Sequence, residues 1–237
     1  MARQGKNYQE AVKLLEGTRD YPPREAIELA KKMAYAKFDE TVELHLRMGV
    51  DPRNASQQVR GVALLPHGLG KPVRVLVFAQ GEAETIAKTA GADFVGGDEL
   101  IKKIEGGWLD FDTTIATPDM MGKVGKLGKI LGRRGLMPNP KSGTVVAAAD
   151  LPRVIGDARK GRVEFKLDRT AIIHVRLGKI SFEVDKLMDN LTAVIEAVVR
   201  AKPSGAKGQY IRTASLTTTM GPGIRLDLKP TLALSSG

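Results

Sequence analysis

Val73-Arg74-Val75-Leu76-Val77-Phe78-Ala79 reads as a strand buried on both faces, because it is almost unbroken in apolar residues. Strand and helix alternate after it: a helix over 82–90, a short strand over 92–95, a short helix over 99–104, a strand over 111–116, and helices over 119–131 and 151–160. That rhythm predicts parallel βαβ units and a small three-layer α/β domain. Thr41 to Val50 has the opposite style. Val42, Leu44, Leu46 and Met48 alternate with Thr41, Glu43, His45 and Arg47, the mark of a half-buried strand with one polar face.

The alternating style returns at the far end of the chain. Strands are predicted over 162–167 and 171–177, an antiparallel pair turning at Asp168-Arg169. Asp185 to Ala201 is the clearest helix, with Leu187, Leu191, Val194, Ile195 and Val198 on one stripe, Asp185 as its cap and Lys202-Pro203 as its stop. Two helices, over 7–16 and from about Arg24, precede the first strand, and Val59 to Leu65 forms another strand. The tail from Pro230 is expected to fray. The ends therefore share an antiparallel style and the middle is parallel. The fold class is α/β, an α+β split domain over 1–67 and 160–237 carrying an inserted α/β domain over 68–159.

The 237 residues carry a net charge of +10, which favours a polyanionic partner. Residues 68–159 account for +2 of it, and the outer segments for +8. No apolar run is long enough to span a bilayer, and the polar N-terminus lacks the apolar core of a signal peptide. The absence of cysteine excludes disulfides and thiolate chemistry. These features point to a soluble intracellular protein.

Two stretches invite a functional reading. Ser215-Leu216-Thr217-Thr218-Thr219-Met220-Gly221-Pro222-Gly223 is a Thr-rich strand broken by Gly-Pro-Gly. Period 2 puts Ser215, Thr217 and Thr219 on one face and Leu216, Thr218 and Met220 on the other. It reads either as a plain strand and turn, or as hydroxyls and amides suited to phosphates and sugars. Met120 to Ala149 holds Lys123, Lys126, Lys129, Arg133, Arg134 and Lys141, with no acidic residue and many glycines. It lacks the phosphate-loop and dinucleotide spacings. A solvated basic helix, a contact to nucleic-acid backbone and a small-molecule phosphate site all remain open. His45, His67 and His174 lack metal-ligand spacing, and no nucleophile or carboxylate pair is set up for catalysis. No aromatic signature of a base-stacking sheet is present, so nucleic acid would be read through shape, hydroxyls and charge.

Ala36-Lys37-Phe38-Asp39-Glu40-Thr41-Val42-Glu43 with Gly49-Val50-Asp51-Pro52-Arg53, Asn54 to Arg60 with Leu65-Pro66-His67-Gly68, Gly132-Arg133-Arg134-Gly135-Leu136-Met137-Pro138-Asn139-Pro140-Lys141, and Thr217 to Pro222 follow one another along the chain. Together they resemble the bacterial ribosomal protein L-one family, the protein of the mobile stalk of the large subunit. The resemblance covers nearly the whole chain. It implies a split RNA-binding domain and a Rossmann-like insert without a nucleotide, no enzymatic activity, no cofactor and no metal. It implies as partners the ribosome through its large-subunit rRNA stalk, exit-site tRNA on its release, and the messenger of the protein's own operon, whose translation it would repress. It further implies a cytoplasmic protein, monomeric off the ribosome.

The family's RNA contacts fall on Lys37, Phe38, Glu40, Thr41, Thr217, Thr219, Met220 and Gly221, with a further region at Asp168, Arg169 and Thr170. Lys37 and Arg169 would neutralise phosphates. The threonine hydroxyls and the Gly221 amide would bond sugar hydroxyls and phosphates, and Phe38 and Met220 would give apolar contact. Glu40 would accept from a 2′-hydroxyl or a base amino group, or orient Lys37. Lys123, Lys126, Arg133, Arg134 and Lys141 form a second candidate contact to rRNA or tRNA. Arg169 stands where the family usually has Lys, and Arg133 where it commonly has Pro. Two other functions compete: an enzyme using the insert for a nucleotide or sugar phosphate, and a less specific architectural protein on DNA or RNA.

Overall fold

The computed structural model describes residues 5–17 and 19–234. In chain order the first segment gives α1 (Lys6–Lys13), α2 (Pro23–Met33), β1 (Thr41–Met48) and β2 (Arg60–Leu64). A middle segment gives β3 (Val75–Phe78), α3 (Glu82–Thr89), β4 (Phe94–Gly96), α4 (Asp98–Glu105), β5 (Thr113–Ala116), α5 (Met121–Val124), α6 (Gly128–Arg134) and α7 (Leu151–Lys160). The last gives β6 (Arg162–Lys166), β7 (Ile172–Lys179), α8 (Val184–Arg200), β8 (Ile211–Thr218), β9 (Ile224–Leu226) and α9 (Leu228–Ala233). The chain divides into two compact units, one running to Gly70 and resuming at Val163, the other spanning Lys71–Arg162.

In the split unit β1 sits inside a four-stranded sheet of order β7-β1-β8-β9, antiparallel throughout. Its alternation does what period 2 requires: Val42, Leu44, Leu46 and Met48 are buried, and the side chains between them are not. α8 covers that apolar face with Leu187, Leu191, Val194, Ile195 and Val198, all fully buried, and α2 adds Ile27 and Ala30. Each large aliphatic side chain buried this way contributes about 2 kcal/mol. α8 begins one residue before the predicted start, and Glu183 takes its N-cap position without a side-chain bond. Asp185, expected as the cap, instead lies in the first turn and pairs with Arg24 at 2.7 Å.

Two further expectations are corrected. The strands over 162–167 and 171–177 do not form a hairpin pair. β6 joins β2 in a separate two-stranded sheet and β7 joins β1; only the turn between them keeps an antiparallel contact, an isolated bridge from Leu167 to Ile173 and a bond from the Asp168 amide to the Ile172 carbonyl at 3.0 Å. The turn explains the parting: Ala171 adopts a left-handed φ of 61° and gives its carbonyl to the Met48 amide, which aims β7 along β1. The tail does not fray over its described length. Asp227 caps α9 by accepting from the Lys229 amide, Thr231 is buried, and Leu228, Leu232 and Leu234 pack on the core. Pro230 is tolerated because first-turn amides lack helical partners anyway.

The middle unit has a parallel sheet of order β4-β3-β5. β3 is buried along its whole length: Leu76 and Phe78 face a cluster with α4 and α5, and Val75 and Val77 face one with α7. Three layers result, as the apolar run requires. The predicted single helix over 119–131 is broken. Short 3₁₀ turns at Pro118–Met120 and Gly125–Leu127 flank α5 and precede α6. Gly122, Gly125 and Gly128 weaken a continuous α-helix, and the three-residue step from Val124 to Leu127 suits a 3₁₀ turn that keeps both buried.

The connection leaving the split unit is fastened by Asn190 of α8, which is fully buried. Its carboxamide accepts from the His67 amide at 3.1 Å and donates to the carbonyls of Gly68 at 3.0 Å and Leu177 at 2.7 Å. Asn190→Ala strands three backbone groups, and we expect a loss of about 3 kcal/mol, read by denaturant unfolding.

Candidate nucleic-acid interface

Two loops meet at one end of the four-stranded sheet: residues 34–40, leaving α2 for β1, and residues 219–223, leaving β8. Glu40 ties them together. It is only 1% exposed. One carboxylate oxygen accepts from the Ala36 amide at 3.1 Å and the other from the Met220 amide at 2.9 Å. Burial alone would raise the Glu40 carboxyl. Bonds from the Thr218 hydroxyl and from the amides of Met220, Ala36 and Tyr35 outweigh it and hold the group below the ordinary carboxylate value. Tyr35 returns a bond from its hydroxyl to the Met220 carbonyl at 2.8 Å. The Thr41 amide donates to the Thr219 hydroxyl at 2.9 Å, and Lys179 reaches the Asp39 carbonyl and the Thr41 hydroxyl. Asp39 takes bonds from the Ser181 amide and hydroxyl.

This lattice changes several expected roles. Glu40 faces inward, so it positions the two loops and offers nothing to a sugar or base. The Gly221 amide, expected to meet phosphate, donates to the Thr218 hydroxyl at 3.1 Å, as the Met220 amide does to Glu40. Thr217 Oγ1 lies within bonding distance of the carbonyls of Thr218 and Gly221, at 3.0 and 3.3 Å. Met220 does not share the buried face of Leu216, because β8 ends at Thr218 and the turn rotates it outward. Gly221 is required by space: an added Cβ would come within 2.5 Å of Thr218 Oγ1. Of the expected contacts, Lys37 and Thr219 remain outward, with Phe38 at 55% and Met220 at 49% exposure. Phe38 and Met220 are large apolar side chains left in water, which makes the two loops a candidate contact surface.

Asp168, Arg169 and Thr170 are not brought to this cluster. They sit at the opposite end of the same sheet: Thr41 pairs with Lys179, Arg47 with Ile172, and six positions of β1 put roughly 20 Å between the two ends. Burial works to raise the Asp168 carboxyl. Bonds from the Thr170 hydroxyl, the amides of Ile172 and Thr170, and His174 outweigh it and hold it at about 2. Asp168 is thus the organiser of the turn, and Arg169 and Thr170 are exposed on it. Between the two ends runs the polar face of the sheet. Cross-strand rows place Arg176, Glu43 and Thr217 side by side, then His174, His45, Ser215 and Arg225. Alternation already put Glu43 and His45 on a polar face. Arg176 and Arg225 were not singled out, because only strand pairing brings them there.

In the middle unit Lys126, Arg133, Arg134 and Lys141 are exposed. Lys123 is bound to Asp98 at 2.9 Å, so its charge is partly spent. Arg133 does not distort its loop. It lies in the last turn of α6, which ends at Gly135 with a left-handed φ of 71°. Among the described residues no cluster suits a metal ion, and no helix is long and apolar enough to cross a membrane.

A discontinuous unit with an antiparallel sheet, and a parallel α/β unit formed by the residues between its two segments, make this an α/β protein of two units. Residues 30–222 match the model of the Ribosomal protein L1p/L10e family. The chain is 69% identical over 234 residues to large ribosomal subunit protein uL1 of Dehalococcoides mccartyi strain BAV1, covering 99% of each. It is 55% identical over 233 residues to large ribosomal subunit protein uL1 of Thermomicrobium roseum, covering 98% of this chain and 97% of that one. The chain belongs to the Ribosomal protein L1p/L10e family, whose members are structural proteins and not enzymes.

Glu40→Gln keeps the volume but turns an amide proton toward a backbone N–H. We expect about 2 kcal/mol of destabilisation by denaturant unfolding, with the sheet intact by circular dichroism. Asp168 has a folded value of about 2 against 3.8 for the free side chain. The unfolded chain therefore binds the proton first as pH falls, and this stabilisation is present above 3.8 and lost on descending to about 2. Stability curves for Asp168→Asn should lack that component while wild type shows it.

Proposed function

We propose that this chain is a large-subunit ribosomal protein that binds the rRNA stalk through the open face and loop end of its split unit. The observation that carries this reading is the rim formed by Lys37, Phe38 and Met220, held outward by the buried Glu40 carboxylate. Lys37 and Arg169 neutralise phosphates at the two ends of the sheet. Thr41, Thr217 and Thr219 present hydroxyl oxygens near the rim, where 2′-hydroxyls distinguish RNA from DNA. Phe38 and Met220 lie against sugars or an unstacked base. The uL1 name and large-subunit designation of the relatives support the reading.

The finer roles follow from the same surface. A messenger segment folded like the stalk would compete for it, and such competition is how the chain would repress its own operon. The basic residues Lys126, Arg133, Arg134 and Lys141 give the middle unit a surface for exit-site tRNA or rRNA backbone. Residence on the cytoplasmic ribosome, and a monomeric state off it, accompany this function.

The test is binding of the full chain to a large-subunit rRNA stalk fragment, titrated with salt, against duplex DNA of equal charge. RNA should win by on the order of a thousandfold, with a salt slope reporting only several phosphates. Equal binding of both, collapsing in salt, would leave only the net positive charge to explain the affinity. Met220→Ala and Lys37→Ala should each weaken the RNA complex by about tenfold or more, with the thermal midpoint nearly unchanged. Lys37→Ala should also lower the salt slope by about one.

A further inference from the structure

Two histidines stand opposite each other near the middle of the open face, His45 on β1 and His174 on β7. Their Nδ1 atoms are 2.7 Å apart, and the rings meet edge to face with centroids 4.9 Å apart. A bond between two ring nitrogens needs one donor and one acceptor, so a single proton lies between them. The outer nitrogens face carboxylates: His174 Nε2 is 3.5 Å from Asp168, and His45 Nε2 is 3.9 Å from Glu43. Asp168 calls for a proton on His174 Nε2. His174 Nδ1 then holds the lone pair, and His45 Nδ1–H donates to it. The lone pair of His45 Nε2 is left facing the Glu43 carboxylate, acceptor against acceptor. One added proton at that nitrogen turns the clash into an ion pair. A second would set two Nδ1–H groups against each other and open the contact. The closed pair therefore accepts one proton and no more.

The surrounding charges decide when it does so. β1 contributes Glu43 and Arg47, β7 contributes Arg176, and the turn contributes Asp168 and Arg169. β8 presents the uncharged Ser215 and Thr217, and β9 carries Arg225 opposite Ser215. Burial and the neighbouring His174 hold His45 below the ordinary imidazole value, with Glu43 opposing them. The free protein at neutral pH thus keeps His45 uncharged. A phosphate brought over this row supplies the missing negative potential.

We infer that His45 and His174 form a proton-linked contact for an RNA phosphodiester, taking up one proton as RNA settles across the sheet. This rests on the RNA-binding reading above. Its consequence is an affinity that rises as pH falls from neutral, by about tenfold per pH unit at most for one proton. The experiment is calorimetric titration of the full chain with the rRNA stalk fragment at pH 6.5 and fixed salt, in buffers of different ionisation heat. Uptake on the order of half to one proton per complex is expected, and His45→Gln and His174→Gln should each abolish it. Tight binding without uptake, or uptake that persists in both variants, overturns the inference and leaves the RNA reading standing. Failure to bind the fragment at pH 7.5 sinks both. The imidazole NMR titration of the unaltered chain reads the same event without a substitution. The His45 midpoint must rise when RNA is added, and an unmoved midpoint overturns the inference.

Discussion

The buried carboxylate of Glu40 is the constraint on which the candidate interface depends. An ionised carboxylate removed from water costs several kcal/mol unless donors surround it. Here the donors come from two loops that are 180 residues apart in sequence: Tyr35 and Ala36 on one, Thr218 and Met220 on the other. Satisfying the charge therefore determines the path of both loops at once. Thr218 serves Glu40 and the Gly221 amide together, which leaves no room for a side chain at Gly221. Phe38 and Met220 are exposed on a rigid rim as a result. A rim ordered in advance loses little conformational entropy on binding, which favours affinity.

The strand order extends the same logic across the sheet. β1 pairs with β7 on one side and β8 on the other, so its polar face is completed only by strands that follow the middle unit in sequence. Such pairings carry a large loop-closure cost and form late relative to local helices. What they assemble is a strip with arginines at its flanks, hydroxyls along β8 and two histidines at its centre. The carboxylates on it, Glu43 and Asp168, lie beside histidine nitrogens. Their negative charge thus faces imidazole, and Asp168 is further committed to the Thr170 and Ile172 donors of its own turn.

The basic stretch of the middle unit is less concentrated than its composition suggests. Lys123 is engaged with Asp98, and the remaining cations are spread over a broken helix and a turn capped by Asn139. Glycines at three-residue intervals break that helix, and the short 3₁₀ turns keep Val124, Leu127 and Leu131 in the core while their neighbours face water. The charge there is suited to a backbone contact that needs no unique register.

Patterning alone separated the alternating strands from the unbroken one and placed most of the helices, because periods of 2 and 3.6 are local consequences of which face is buried; it missed the 3₁₀ breaks within 118–131. Chemistry drew notice to the Thr-Thr-Thr-Met-Gly-Pro turn, and only the likeness to a known family added the Lys37-Phe38 segment. The tertiary structure alone decided that Glu40 is buried and the Met220 and Gly221 amides are spent, that β6 leaves β7 for β2, and that the Asp168 turn lies a sheet's length from the rim. It also brought His45 against His174. Each of these depends on strands distant in sequence meeting in one register, and residues so far apart carry no local signal of the partner they will meet.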